Sequence, residues 1–145
     1  MIGAGAVGRS VVELAGEYGH EVVAVADSSS ATVADGTGGR AGAGGDDSVG
    51  VDPDAVVARK AERGIVGDAD PEDALSADYD VLVEATPTTL GDAEPGFSHV
   101  TAALERDRHA VLANKGPVAE RFGDLRAAVD DSDGEIRFEA TVGGA

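Results

Sequence analysis

The sequence predicts an α/β fold, with a mostly parallel, doubly wound sheet and helices on both faces. Three observations predict it. Strand-like apolar runs alternate with segments of helical period along the whole chain. The runs at 21–26, 79–84 and 109–113 are rich in consecutive apolar residues, as parallel strands covered on both faces require. The chain also opens on Gly3-Ala4-Gly5-Ala6-Val7-Gly8, a G-x-G-x-x-G turn that runs directly into a helical pattern.

Each glycine of that turn has a physical task in a dinucleotide-binding fold. Gly3 lets the chain turn off a first strand, Gly5 lets backbone approach a pyrophosphate, and Gly8 lets the helix pack on the sheet. The N–H groups at the helix start then meet the phosphates. The second strand ends on Asp27, 19 residues after Gly8. An acidic residue there meets the adenosine ribose hydroxyls and disfavours a 2′-phosphate. The reading is a Rossmann-type dinucleotide-binding domain over 1–145. The alternative is a purely structural glycine turn, in a chain with 21 glycines. Only Met1 and Ile2 precede Gly3, so the first strand is a stub or starts upstream.

Composition narrows the partners. With 11 Lys+Arg against 28 Asp+Glu, the net charge is −17, which disfavours nucleic acid and anionic membranes. Such acidity beside regular apolar runs suggests a salt-adapted cytoplasmic protein, whose self-repulsion salt would screen. Cysteine is absent, so there is no disulfide, thiolate nucleophile or cysteine-based metal site. No apolar run approaches the roughly 20 residues of a membrane span, and no signal peptide is visible.

The elements follow in order. A first helix is predicted over 7–18, with Val11, Val12, Leu14 and Ala15 inward and Gly19 as its stop. The second strand is 21–26. Residues 28–50 hold Ser28-Ser29-Ser30 and many glycines without a period, and read as a flexible loop in which Arg40 could reach a 2′-phosphate. Asp52-Pro53 opens a helix that should end at Gly64, and Asp70-Pro71 opens a shorter one through 75. A buried strand at 79–84 runs into the polar loop Ala85-Thr86-Pro87. A helix over 96–107 should turn Val100, Ala103 and Leu104 inward. The strand 109–113 delivers Asn114-Lys115-Gly116-Pro117, a helix over 118–129 follows, and a last strand spans 135–140.

Loops at the carboxyl ends of parallel strands line the ligand crevice, and the candidate residues sit there. Lys115 lies between a strand end and a helix start, where positive charge is disfavoured. It suits a proton donor or acceptor, or a hold on a polar group, against the alternative of a surface lysine. Asn114 could bond a nicotinamide carboxamide or ribose, or cap a turn. Glu84 and Glu139 end apolar strands, where an unpaired buried carboxylate is costly. Glu139 near Val142-Gly143-Gly144 suits a hard cation, or else anchors a loop. His20, His99 and His109 show no metal-ligand spacing.

Several of these segments resemble homoserine dehydrogenase. They are Gly3-Ala-Gly-Ala-Val-Gly8, Ala26-Asp-Ser-Ser29, Asp80-Val-Leu-Val-Glu-Ala-Thr-Pro-Thr88, Ala113-Asn-Lys-Gly-Pro-Val-Ala119 and Phe138-Glu-Ala-Thr-Val-Gly-Gly144, in the family's order. The resemblance implies interconversion of L-homoserine and L-aspartate 4-semialdehyde with NAD or NADP. It implies a catalytic, proton-transferring role for Lys115. Cofactor contacts would come from Gly3, Gly5, Ala6, Val7, Gly8, Asp27, Ser28, Ala85, Thr86, Pro87, Asn114 and Lys115. A monovalent cation, Na+ or K+, would sit at Glu139 and Val142. The family continues into a substrate and dimerisation domain, forming a homodimer or homotetramer. This chain therefore reads as the cofactor domain, inactive alone. The alternatives are another amino-acid dehydrogenase, such as an aspartate dehydrogenase, or a non-catalytic NAD-sensing module.

Overall fold

The computed structural model of the protein describes residues 1–34 and 50–138. Its helices are α1 (Ala6–Ala15), α2 (Pro53–Arg63), α3 (Pro71–Ser76), α4 (Gly96–Leu104), α5 (Gly116–Glu120) and α6 (Phe122–Asp130). Its strands are β1 (Ala24–Ala26), β2 (Ala31–Val33), β3 (Val81–Glu84), β4 (His109–Leu112) and β5 (Ile136–Arg137).

The two residues before Gly3 join the halves of the sheet. Ile2 bridges Ala26 and Glu84, both in parallel sense. The Ile2 N–H donates to Val83 O at 2.9 Å, and the Ala85 N–H donates to Ile2 O at 2.8 Å. On the other side Ala26 N–H donates to Met1 O at 2.9 Å, and Gly3 N–H donates to Ala26 O at 2.8 Å. The stub is thus short but central. Beyond it β3, β4 and β5 pair in parallel, with Val81 opposite His109 and Ala110 opposite Ile136. The order across the sheet is β2, β1, the stub, β3, β4, β5. The chain leaves the stub to one side for β1 and later returns to the other side for β3. That reversal is the switch point at which open α/β sheets bind ligands.

Strand alternation sends neighbouring side chains to opposite faces, and two cores result. Val25 packs with Ala4, Val12 of α1, Val56 of α2 and Val66. Ala24, Ala26, Leu82, Ala110 and Leu112 pack with Ala74 of α3, Val100, Ala103 and Leu104 of α4, and Leu125 of α6. Helices therefore cover both faces around β1. At β3 the coverage is uneven, because Leu82 is buried while Val81 remains 45% exposed.

Local chemistry sets most boundaries. The Asp52 carboxylate caps α2 by accepting from the N–H groups of Asp54 and Ala55, Pro53 follows, and Gly64 closes the helix at φ +75°. A reciprocal capping box between Asp70 and Asp73 starts α3.

Three features depart from the sequence reading. Residues 31–33, expected as loop, form β2, antiparallel to β1, with Ala26 opposite Ala31 across a tight turn. The first helix holds Val12 and Ala15 inward, but Leu14 is 45% exposed. The helix expected over 118–129 is two helices, broken at Arg121 (φ −130°, ψ 31°), whose guanidinium lies 3.6 Å from the centre of the Phe97 ring.

Candidate cofactor site

Four segments meet at the carboxyl ends of the stub, β1, β3 and β4. They are the glycine turn, Asp27-Ser28, Ala85-Thr86-Pro87 and Asn114-Lys115.

The glycine turn is built on contact. Gly3 adopts φ +100°, and a Cβ placed on it would lie 2.4 Å from Ala85 O. A Cβ on Gly8 would lie 1.7 Å from Gly3 O, so only glycine lets α1 approach the sheet. Gly5 differs, since a Cβ there meets no described residue within 4 Å besides its chain neighbours. It is the N-cap of α1 and provides no side-chain acceptor for the leading N–H groups of that helix. Gly5, Ala6 and Val7 are all exposed. A tight base beneath an open, uncapped helix start fits a pyrophosphate.

Asp27 is already engaged. Its Oδ1 accepts from the Ser29 and Ser30 N–H groups, both at 2.8 Å, and from their hydroxyls at 3.0 and 3.2 Å. Its Oδ2 pairs with Lys60 Nζ at 2.7 Å, with the Asp27 side chain only 8% exposed. Burial pushes the carboxyl up, but the Lys60 ammonium and the serine donors outweigh it and hold the pKa at about 2. Ser28, at the tip of this turn, is exposed. Lys60 also donates to Gly64 O at 2.7 Å, and with Arg9 and Gly8 it lines a small cleft between α1 and α2. Lys60 is the residue the sequence reading missed. One signal was present: it lies four residues after the buried Val56, on the same helix face.

That pairing has a pH signature. The folded state lowers the Asp27 pKa from 3.8 to about 2, so its stabilisation is complete above the upper value and fades as pH falls through the lower. Asp27→Asn should cost about 2 kcal/mol in unfolding free energy at neutral pH, with the gap to the parent closing in acid. A gap that stays constant down to the lower pKa in denaturant titrations contradicts this account of Asp27.

The loops after β3 and β4 are tied by a hydrogen-bonded chain. Glu84 is fully buried and Asn114 is 1% exposed. Glu84 Oε1 accepts from Thr86 N–H at 2.8 Å and from the Thr86 hydroxyl. Glu84 Oε2 lies 2.6 Å from His99 Nδ1 on α4. Asn114 Nδ2 donates to Thr86 Oγ1 at 3.0 Å, and Asn114 Oδ1 accepts from Gly116 N–H at 2.9 Å. Burial raises the Glu84 pKa, but the His99 and Thr86 hydrogen bonds prevail and hold it below the usual carboxylate range.

Lys115 is exposed at the start of α5, and its N–H donates to Thr88 Oγ1 at 3.3 Å. With α5 only five residues long, the helix-start argument for a disfavoured positive charge loses most of its force. His109 has a structural role, since its Nδ1 accepts from Glu135 N–H at 3.0 Å. Arg40, Glu139 and Val142 lie outside the described residues. Among the described residues, no group of three or more His, Asp or Glu side chains is placed to hold a metal, and no helix is long and apolar enough to cross a membrane.

Comparison with known proteins agrees with this geometry. Residues 3–139 match the family model described as homoserine dehydrogenase, NAD binding domain. The homoserine dehydrogenase of Methanocaldococcus jannaschii is 38% identical over 68 residues, which are 47% of this chain and 20% of that protein. The crystal structure of homoserine dehydrogenase from Thermoplasma acidophilum superposes with a TM-score of 0.77 at 24% identity, covering 96% of this chain and 41% of that one. A hyperthermophilic archaeal homoserine dehydrogenase in complex with NADPH superposes with a TM-score of 0.67 at 21% identity, covering 97% of this chain and 42% of the other. The chain thus spans about two fifths of the solved relatives it matches. By its glycine turn, its sheet order and a match over almost its whole length, the chain belongs to the homoserine dehydrogenase NAD-binding domain family.

Proposed function

We propose that this chain is the cofactor-binding part of an enzyme that interconverts L-homoserine and L-aspartate 4-semialdehyde. The observation that carries the reading is the convergence of the glycine turn, Asp27, Thr86 and Asn114-Lys115 at one switch point, within this family. When bound, the nicotinamide supplies the hydride acceptor. The protein's own residues do the rest. The α1 start holds the pyrophosphate, Thr86 lines the reacting end with the buried Asn114 holding it from behind, and the Lys115 amine takes the hydroxyl proton as the carbonyl forms. In reverse, its ammonium returns that proton.

Both NAD and NADP fit this reading. The Asp27 charge that would repel a 2′-phosphate is neutralised by Lys60, and Arg9 lines the same cleft. The NADPH complex of the archaeal homologue supports the same conclusion. A monovalent cation at Glu139 and Val142, a homodimeric or homotetrameric enzyme and a cytoplasmic setting belong to the same proposal. The test joins this chain to the substrate-binding remainder of the M. jannaschii enzyme and assays nucleotide reduction. Homoserine should be oxidised. Oxidation of aspartate instead, or of neither, rejects the assignment.

Salt adaptation also belongs to the proposal, on the −17 charge. The melting temperature should climb from low to molar KCl as self-repulsion is screened. A flat profile contradicts it.

A further inference from the structure

The chain of bonds running from α4 to the Lys115 turn has a fixed direction. An ionised carboxylate only accepts, so the Thr86 hydroxyl donates to Glu84. That leaves the Thr86 oxygen lone pairs to accept from Asn114 Nδ2. The Asn114 amide is then oriented with Oδ1 toward Gly116 N–H, at 2.9 Å, one residue past Lys115. The buried carboxylate sets the Thr86 hydroxyl, and the Gly116 N–H fixes the Asn114 amide from the other end. His99 Nδ1, at 2.6 Å, supplies the hydrogen bond that keeps Glu84 ionised on a face otherwise formed by apolar neighbours such as Leu82 and Val100.

We propose that Glu84 and His99 are positioning residues for the nicotinamide end of the cofactor, acting through Thr86 and Asn114. The inference rests on the cofactor reading above and deepens it. Glu84 is fully buried and the His99 side chain nearly so, so both act on the cofactor through the residues they hold. A leucine at 84 takes away the acceptor that the Thr86 N–H and hydroxyl share. The Thr86 hydroxyl is then free to turn, and the acceptor facing Asn114 Nδ2 is no longer fixed.

The test separates the two ends of the cofactor with two probes, NADH and ADP-ribose, titrated calorimetrically into the chain. ADP-ribose carries everything but the nicotinamide. Glu84→Leu and His99→Leu should weaken NADH binding about tenfold while leaving ADP-ribose binding within about twofold; a tenfold loss corresponds to about 1.4 kcal/mol. His99→Asn places an amide N–H near the position of Nδ1 and should restore most of the NADH affinity. This rescue carries the test if Glu84→Leu does not fold. Equal losses for both probes, or no loss for NADH, overturn the proposal while the cofactor reading stands. A parent chain that binds neither probe overturns both.

Discussion

Replacing Lys115 with alanine is expected to slow turnover by about a hundredfold or more in the joined enzyme, the scale of general acid–base help. Cofactor affinity should change by less than about twofold, because the bond from the Lys115 backbone N–H to Thr88 and the bond from Gly116 N–H to Asn114 survive the substitution. In the proposed reaction the homoserine hydroxyl must lose its proton as hydride leaves the same carbon, and Lys115 stands at a strand end beside Thr88 and Asn114. Lys60 cannot substitute for it, since its amine is committed to Asp27 and Gly64 O. Pre-steady-state measurement of the chemical step reads the effect directly. Near-parent turnover in Lys115→Ala reduces this residue to a surface lysine at the end of β4.

Gly5→Val should abolish nucleotide binding and leave the fold intact. The backbone at Gly5 is extended, at φ −75° and ψ −163°, which valine adopts without strain. Its Cβ would enter space with no atom of the described residues within 4 Å besides its chain neighbours, the space assigned to the pyrophosphate. Gly8→Val provides the contrast. Its Cβ would collide with the Gly3 carbonyl at 1.7 Å, so that variant should lose the fold itself. Circular dichroism and calorimetry together distinguish the two. A Gly5→Val chain that binds like the parent removes the turn from the cofactor site.

These effects differ in how far they can be read from sequence. The α2 boundaries were legible because each is set within a few residues, by Asp52, Pro53 and Gly64. The glycine turn and the strands after it were legible because glycine spacing and apolar runs are local signals. The β2 strand was not, since Ser28-Ser29-Ser30 reads as loop. In the fold those serines satisfy Asp27 and make the turn into β2. At the break, Arg121 lies over Phe97, far away in sequence. The site divides in the same way. Asn114, Lys115 and the loop after Glu84 announce themselves as polar residues at strand ends. The Lys60–Asp27 pair spans 33 residues and the His99–Glu84 pair spans 15, so only the fold brings each together. Glu84 reads in sequence as a costly buried acid, and the structure supplies the donors that make it tolerable.

The central claim is that this chain binds a nicotinamide dinucleotide across the switch point of its sheet. Calorimetric titration of the 145-residue chain with NADH and with NADPH tests it most directly. Saturable one-to-one binding of at least one of them, lost in Gly5→Val at unchanged circular dichroism, is the predicted result. No heat of binding from either nucleotide in a folded parent chain would contradict the account.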